Sequence, residues 1–207
     1  MANLLVAGLT LSTDDRGRLH YWGEVINLEP TTQRWIKVTV RLLDADGKTL
    51  TEQSDITSLE WTLPNMRNPF YIRFLTPPER FHRFDIAVTG QPHDYSDSSV
   101  PQPHTGLIAE RVHYREIERA DLRCTLIGLL RNHGAAPASH VKAAGTLYNP
   151  EGKVVGVFSP YLVPQGPFMP GEVMPFELKF YALGGIVSNY TLQVQGRELQ
   201  GQVAIAR

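Results

Sequence analysis

The chain has 207 residues, of which 42% are hydrophobic and 20% are charged, a composition typical of a folded globular protein. Its 20 Lys and Arg are balanced by 21 Asp and Glu, and the net charge of −1 excludes nucleic-acid binding through bulk positive charge. We expect neither a membrane span nor a signal peptide, since no apolar run reaches roughly 18 residues and the start lacks a basic region.

The sequence contains an internal repeat. Matching residues recur at an offset of 105, which becomes 106 after one inserted residue. The matched pairs are Gly23 and Gly128, Asn27 and Asn132, Leu42 and Leu147, Gly47 and Gly152, Phe70 and Phe176, Phe74 and Phe180, and Val88 and Val194. So many matches in order predict two copies of one fold.

The repeat predicts three segments. Residues 1–90 and 107–207 each have the usual size of an independent domain, so we expect one domain from each. Residues 91–106 contain Pro92, Pro101 and several Ser and Asp residues, a composition typical of a linker.

Apolar residues recur at alternate positions, which predicts strands with one buried face. In chain order these positions are Leu5, Ala7, Leu9 and Leu11; Ile36, Val38, Val40 and Leu42; Phe70, Ile72 and Phe74; Phe84, Ile86 and Val88; Val141, Ala143, Gly145 and Leu147; Phe176, Leu178 and Phe180; Tyr190, Leu192 and Val194; and Val203 and Ile205. The Glu- and Arg-rich segment 107–121 is interpreted as a strand in preference to a helix. The pattern predicts an all-β chain of two tandem immunoglobulin-like antiparallel β-sandwiches.

Two acidic or amide-rich turns follow equivalent strands. Asp44 and Asp46 precede Gly47 and resemble the opening of a calcium loop, but the twelfth position is Asp55 where such a loop needs Glu. The second half has Asn149, Pro and Glu before its turn glycine. We therefore predict two hairpin turns and no calcium site.

Three histidines, His93, His104 and His113, lie in or beside the linker with Asp94 and Asp97. Such groups can hold a divalent cation, but their spacing matches no ligand pattern that one regular element presents on one face. We predict a solvated linker and no metal site.

Catalytic motifs are absent from the sequence. It has no Gly-x-Ser-x-Gly elbow and no Gly-rich phosphate loop. The single cysteine, Cys124, excludes an internal disulfide and is in phase with Leu126, so we expect it to pack inward. We expect no catalytic residues, no cofactor and no enzymatic activity.

All three tryptophans, Trp22, Trp35 and Trp61, belong to the first half. If the alternate residues of their strand face the core, then Trp22 and Ile26 point outward. Exposed tryptophans are common at binding surfaces because a rigid ring buries much area at little entropic cost. We take these four residues as candidates for partner binding; packing of Trp22 against a loop or the other half is the open alternative.

Several of these segments resemble one known family. They are the Gly-x-Val-x-Asn of residues 23–27, the Leu-rich strand ending in Asp or Asn before a turn Gly, the Pro-Phe before Phe-x-Ile-x-Phe, and the closing Phe/Tyr-x-Ile/Leu-x-Val-x-Gly strand. Both halves thus resemble the FxLYD family. The resemblance implies a small immunoglobulin-like sandwich of a bacterial or archaeal surface or exported protein, without catalytic residues.

We therefore expect a non-enzymatic binding or structural module of a microbial cell surface or exported protein. One alternative is a self-assembling subunit of a surface filament or layer, because both ends of the chain are strand-like. The other is a carbohydrate-binding module that uses the tryptophans. The expected partner is a protein or a second copy, bound through edge strands or exposed aromatic residues, or a glycan; we expect no nucleic-acid partner.

Overall fold

A computed structural model describes residues 3–117, 122–163, 166–181 and 183–199, and in these ranges the regular elements are all strands. The strands are β1 (Leu4–Thr13), β2 (Leu19–Asn27), β3 (Gln33–Leu43), β4 (Thr49–Ile56), β5 (Trp61–Thr62), β6 (Arg67–Phe74), β7 (Arg83–Pro92), β8 (Leu107–Glu116), β9 (Cys124–Asn132), β10 (Ala138–Tyr148), β11 (Val154–Phe158), β12 (Tyr161–Val163), β13 (Val173–Phe180) and β14 (Asn189–Glu198). Val203 and Ile205 lie outside the described residues.

The strands form four antiparallel sheets, two from each half. The first sandwich stacks β1-β2-β6 on a sheet in which β3 pairs with β4 and β5 on one side and β7 on the other. The second stacks β13-β9-β8 on a sheet in which β10 pairs with β11, β12 and β14. The prediction of two tandem immunoglobulin-like antiparallel β-sandwiches is confirmed.

Each sandwich has its own apolar core, and the central strands supply it as their alternation predicts. Val38 and Val40 of β3 and Val141 and Ala143 of β10 are all 0% exposed. Burial of such side chains is the main term that stabilises a sandwich. Phe84, which the alternation places on a buried face, is 37% exposed because its strand β7 lies at the edge of its sheet. Its ring still makes an edge-to-face contact with the ring of Tyr21.

The repeated glycines face the repeated phenylalanines across the strands. Gly23 pairs with Phe70, and a Cβ on Gly23 would lie 2.7 Å from the phenyl Cζ. Gly128 pairs with Phe176, with a corresponding distance of 2.8 Å. Both copies therefore need glycine where a phenyl ring covers the backbone.

The repeated asparagines connect loops at one end of each sandwich. The buried Asn27 donates from Nδ2 to the carbonyls of Thr31 and Thr62. Asn132 donates in the same way to the carbonyls of Ala136 and Phe168. Because a buried amide must keep its partners, this explains why the repeat retains asparagine at both positions.

The predicted hairpin turns are present. Asp44 Oδ1 accepts hydrogen bonds from the N–H groups of Asp46 and Lys48, and Gly47 has a φ of 84°. Asn149 accepts from the N–H of Lys153 in the second copy. The side chains that resemble calcium ligands therefore stabilise turns.

The first strand of each sandwich contains a β-bulge. Between Ala7 and Thr10 the pairing of β1 shifts, and Leu4, Val6 and Leu9 pack on the core. Leu5 and Leu11, which the sequence places in one phase with Ala7 and Leu9, are 50% and 40% exposed. In the second sandwich residues 107–116 form a strand as predicted, and residues 118–121 lie outside the described ranges.

The linker packs against both sandwiches. His93 and His104 are 6% and 8% exposed, so the prediction of a solvated linker is wrong for these two histidines, whereas His113 and residues 94–99 are exposed. The N–H of His93 donates to the carbonyl of Thr32 and the N–H of His104 to that of Gly196. The His93 ring packs between Trp61 and Tyr95, and His104 Nε2 lies 2.8 Å from the carbonyl oxygen of Ala136.

Candidate functional site: the junction between the sandwiches

Trp22 lies between the two sandwiches. Its side chain points away from the core of the first sandwich, as the strand phase predicts, but it is 3% exposed because it packs on Tyr148 and Val154 of the second. A Cβ on Gly184 would lie 2.9 Å from the indole, so this glycine allows the ring to approach the backbone. The prediction that Trp22 is exposed for partner binding is wrong. The alternative of packing against the other half is what the structure shows.

The polar residue two positions after Trp22 is also part of this junction. The side chain of Glu24 is 0% exposed, and its carboxylate accepts hydrogen bonds from the Tyr148 hydroxyl at 2.7 Å and from Arg67 at 3.0 Å. Burial raises the pKa of Tyr148 to about 12, so the hydroxyl remains a donor at neutral pH. A buried carboxylate with both partners satisfied joins the two sandwiches.

The residue two positions before Trp22 belongs to a second polar group. His20, which is 4% exposed, lies 2.7 Å from the Tyr71 hydroxyl through Nδ1 and 3.1 Å from Asp14 through Nε2. The Arg18 guanidinium holds the pKa of Asp14 well below its usual range. These groups form an acid–base chain, but the His20 ring is covered by its stack on Trp22.

Trp61 forms a second contact between the sandwiches. Its backbone N–H donates to the side-chain carbonyl of Gln195 at 3.1 Å, and its carbonyl accepts from the same amide at 2.6 Å. Next to it, Glu60 accepts hydrogen bonds from Arg34 of its own sandwich and Arg197 of the other. Trp61 is 2% exposed, so its ring is buried at this contact.

Trp35 is the exposed tryptophan, and an unusual backbone conformation places it. β3 contains a bulge between Arg34 and Lys37, where Trp35 has a φ of 49° and is 40% exposed. His140, which the repeat aligns with Trp35, lies in the equivalent bulge of β10 with a φ of 48°. Positive φ is a strained conformation for bulky residues, and such strain is concentrated at functional sites.

Both bulges open onto one cleft between the sandwiches, which we call the aromatic cleft. Its lining comes from six strands, β3, β4, β5, β10, β12 and β14, and from the loop between β4 and β5: Trp35, Ile56, Thr57, Ser58, Leu59, Glu60, Trp61, His140, Lys142, Tyr161 and Gln195. Its volume is about 40 Å³, room for a few water molecules at most. A larger ligand therefore lies across its mouth, where Trp35 and Tyr161 are 40% and 53% exposed.

The cleft contains a half-buried cation. Lys142 pairs with Tyr161 across the strands, and its Nζ lies 5.4 Å from the centre of the Tyr161 ring. Burial lowers the pKa of Lys142, while the more distant charge of Asp55 opposes this shift. In the described part of the chain no carboxylate oxygen lies within 4.0 Å of Lys142.

A second concavity lies on the other side of Gln195, and we call it the apolar groove. Its volume is about 530 Å³, and it is lined by Leu63, Met66, Tyr95, Gln102, Pro103, His104, Thr105, Leu192, Gln193, Val194 and Gln195. Leu63 and Met66 are 44% and 46% exposed there. This groove was not predicted, because its walls come from three segments far apart in the sequence.

The four predicted binding residues therefore occupy different places. Trp22 and Trp61 are buried between the sandwiches, Trp35 is at the mouth of the aromatic cleft, and Ile26 is half-buried between Leu5 and Arg67 of the neighbouring strands. The cleft brings Trp35 and Trp61 together but not Trp22 or Ile26. The sequence analysis missed Lys142 and Tyr161. The nearest signal in the sequence was the alignment of His140 with Trp35, because Lys142 follows His140 by two positions on β10 and pairs with Tyr161.

Three further features concern the described residues: metal binding, membrane-crossing helices and the reactivity of the cysteine. In ranges 3–117, 122–163, 166–181 and 183–199, no three His, Cys, Asp or Glu side chains are grouped to hold a metal ion. The same ranges contain no helix long and apolar enough to cross a membrane. Cys124 is buried as predicted, and burial raises the pKa of its thiol, which disfavours the reactive thiolate.

Comparisons with known proteins leave the family open. No family model and no curated protein matches the chain, so the FxLYD resemblance stays a prediction. Among solved structures, a transglutaminase of red sea bream is 9% identical over 93% of this chain and 29% of its own, with a TM-score of 0.28. An exo-chitosanase of Amycolatopsis orientalis is 13% identical over 91% of this chain and 25% of its own, with a TM-score of 0.30. The chain thus spans less than a third of each, and similarities this weak carry no argument about function.

Proposed function

We propose that this chain is a non-enzymatic binding module that holds its ligand in the aromatic cleft between its two sandwiches. The observation that supports this best is the pair of bulges at Trp35 and His140, which turn two aromatic side chains from equivalent strands toward one cleft. Bulges of this kind re-aim side chains next to functional sites. A strained, exposed tryptophan contributes little to folding, so a role in binding accounts for it better.

The arrangement of the polar groups favours binding over catalysis. The chain of Asp14, His20 and Tyr71 is built like an acid–base relay, but neither the aromatic cleft nor the apolar groove includes these residues. A relay acts only where a substrate can reach it. In the cleft itself, Glu60 is engaged by two arginines.

Placement at a microbial cell surface or in an exported protein is part of this proposal. It rests on the FxLYD resemblance of both halves. A two-sandwich module with a ligand site at the junction fits such a setting, because domain interfaces are common places for ligand sites.

Self-assembly through edge strands is less well supported. β1 is an edge strand with Leu5 and Leu11 exposed, which would favour pairing with another chain. Its bulge at Gly8, where φ is 61°, interrupts the row of backbone groups that a pairing strand needs. Natural proteins use such bulges to prevent edge pairing.

The proposal is tested by ¹H–¹⁵N correlation spectra of the intact chain during titration with neutral and acidic oligosaccharides and short peptides. We expect a binding probe to shift the indole N–H signal of Trp35 and the amide signals of Ile56 and Tyr161, with the buried Trp22 indole as an internal reference. Trp35→Ala should remove the response. A probe that binds while these signals stay unchanged contradicts the proposal, as does the absence of binding across the panel.

A further inference from the structure

The charge of the aromatic cleft indicates what it selects. Lys142 is half-buried at the cleft wall, and Tyr161 meets it through the ring face. The cations Arg34 and Arg197 share the carboxylate of Glu60, so that acid is occupied. A partly desolvated ammonium group with no carboxylate in contact gains strongly from an anionic ligand.

The shape of the cleft indicates the other part of the ligand. Because the volume of the cleft is only about 40 Å³, the ligand lies against the exposed parts of Trp35 and Tyr161, whose rings are each covered on one side by a cation, Arg34 and Lys142. The negative face of an aromatic ring attracts the C–H groups on one side of a pyranose ring. Ser58 and the imidazole of His140 provide hydrogen-bonding groups for hydroxyls along the same lining.

Resting on the proposed function, we infer that the aromatic cleft takes an acidic sugar residue, a pyranose ring bearing a carboxylate, within a uronate-containing glycan. The ring stacks on Trp35 or Tyr161, and the carboxylate pairs with the ammonium group of Lys142. A nucleic acid fits less well, because the net charge of −1 gives no favourable field for a polyphosphate. A neutral sugar leaves the ammonium group without a counter-charge.

The test uses a pair of probes with the same sugar chain: an oligogalacturonate and its methyl ester, in which a methyl group on each carboxyl removes the charge. Dissociation constants are measured with the intact chain by following the indole N–H of Trp35. We expect the acid to bind about tenfold more tightly than the ester, the effect of one charge-assisted hydrogen bond. Lys142→Met, which replaces the ammonium group by an uncharged side chain of similar length, should remove this tenfold preference, so that the acid and the ester bind alike.

A matched control variant separates the outcomes. Lys179→Met makes the same substitution at a lysine of β13 that pairs with Glu177 and whose side chain is 45% exposed, and it should keep the preference for the acid. Equal binding of acid and ester, or a preference that survives Lys142→Met, overturns the inference and leaves the proposed function intact. If neither probe shifts the indole signal of Trp35 but a peptide or a neutral glycan does, the inference fails and the proposed function stands. If no probe shifts this signal, the inference and the proposed function both fail.

Discussion

The two sandwiches share their interiors but not their outer faces. Gly23 and Phe70 of the first are matched by Gly128 and Phe176 of the second, and each pair makes the same contact. Outside the cores the match ends: Trp22 is buried between the sandwiches, while its counterpart Ile127 is half-buried on its own sheet. A duplicated core can thus be retained while outer faces diverge to form a junction.

The largest effect is expected in the shared cores. Phe74→Ala and Phe180→Ala should each lower the free energy of unfolding by roughly 3 to 5 kcal/mol, because both rings are 2% exposed and truncation leaves a cavity. Denaturant titration of the two variants measures this. Similar losses sharpen the comparison of the cores, whereas a loss near zero in one variant shows that the two cores differ.

The next effect separates the outer faces. Trp22→Ala should cost about 3 kcal/mol, because the indole fills the space between Tyr148, Val154 and Gly184. The equivalent change Ile127→Ala should cost only about 1 kcal/mol, as is usual for a half-buried position. Equal costs in denaturant titration would count against the asymmetry of the two faces.

A smaller loss is expected from one hydroxyl at the junction. Tyr148→Phe removes a hydrogen bond to the buried carboxylate of Glu24, and about 1.5 to 3 kcal/mol should be lost. Tyr161→Phe is the matched control, since that residue is 53% exposed and its loss should be within about 0.5 kcal/mol. If thermal unfolding shows equal shifts for the two variants, the Glu24 contact contributes nothing to the junction.

The smallest effect has the opposite sign. Trp35→Asn should stabilise the chain by up to about 1 kcal/mol, because asparagine tolerates the positive φ that strains tryptophan. His140→Asn should behave similarly in the second sandwich. Destabilisation by either change in calorimetry would show that these rings support the fold, which removes the main reason to assign them to binding.

The sequence predicted what lies inside one sandwich. Alternation placed Val38 and Val141 in the cores, and the turn residues placed the hairpins at Asp44 and Asn149. These features depend on neighbours a few residues away or on the pairing of adjacent strands, so their pattern is visible in the chain.

The sequence could not predict what lies between the sandwiches. His20 and Glu24, the polar residues two positions before and after Trp22, are both buried and hydrogen-bonded, and the partner of Glu24 is Tyr148 of the other sandwich. The alternation along a strand predicts which side chains point toward the core and which point away from it. It does not predict that another sandwich covers the face that points away. The bulges at Trp35 and His140 were also hidden, because no glycine marks their positive φ.

The central claim is that the outer faces fix the two sandwiches in one arrangement, since the aromatic cleft exists only if they are fixed. Residual dipolar couplings of backbone amides in a weakly aligned sample of the intact chain test this directly. A single alignment tensor should fit strands β1–β7 and β8–β14 together, with Trp22→Ala as the variant that separates them. Two different tensors for the wild-type sandwiches would contradict the account.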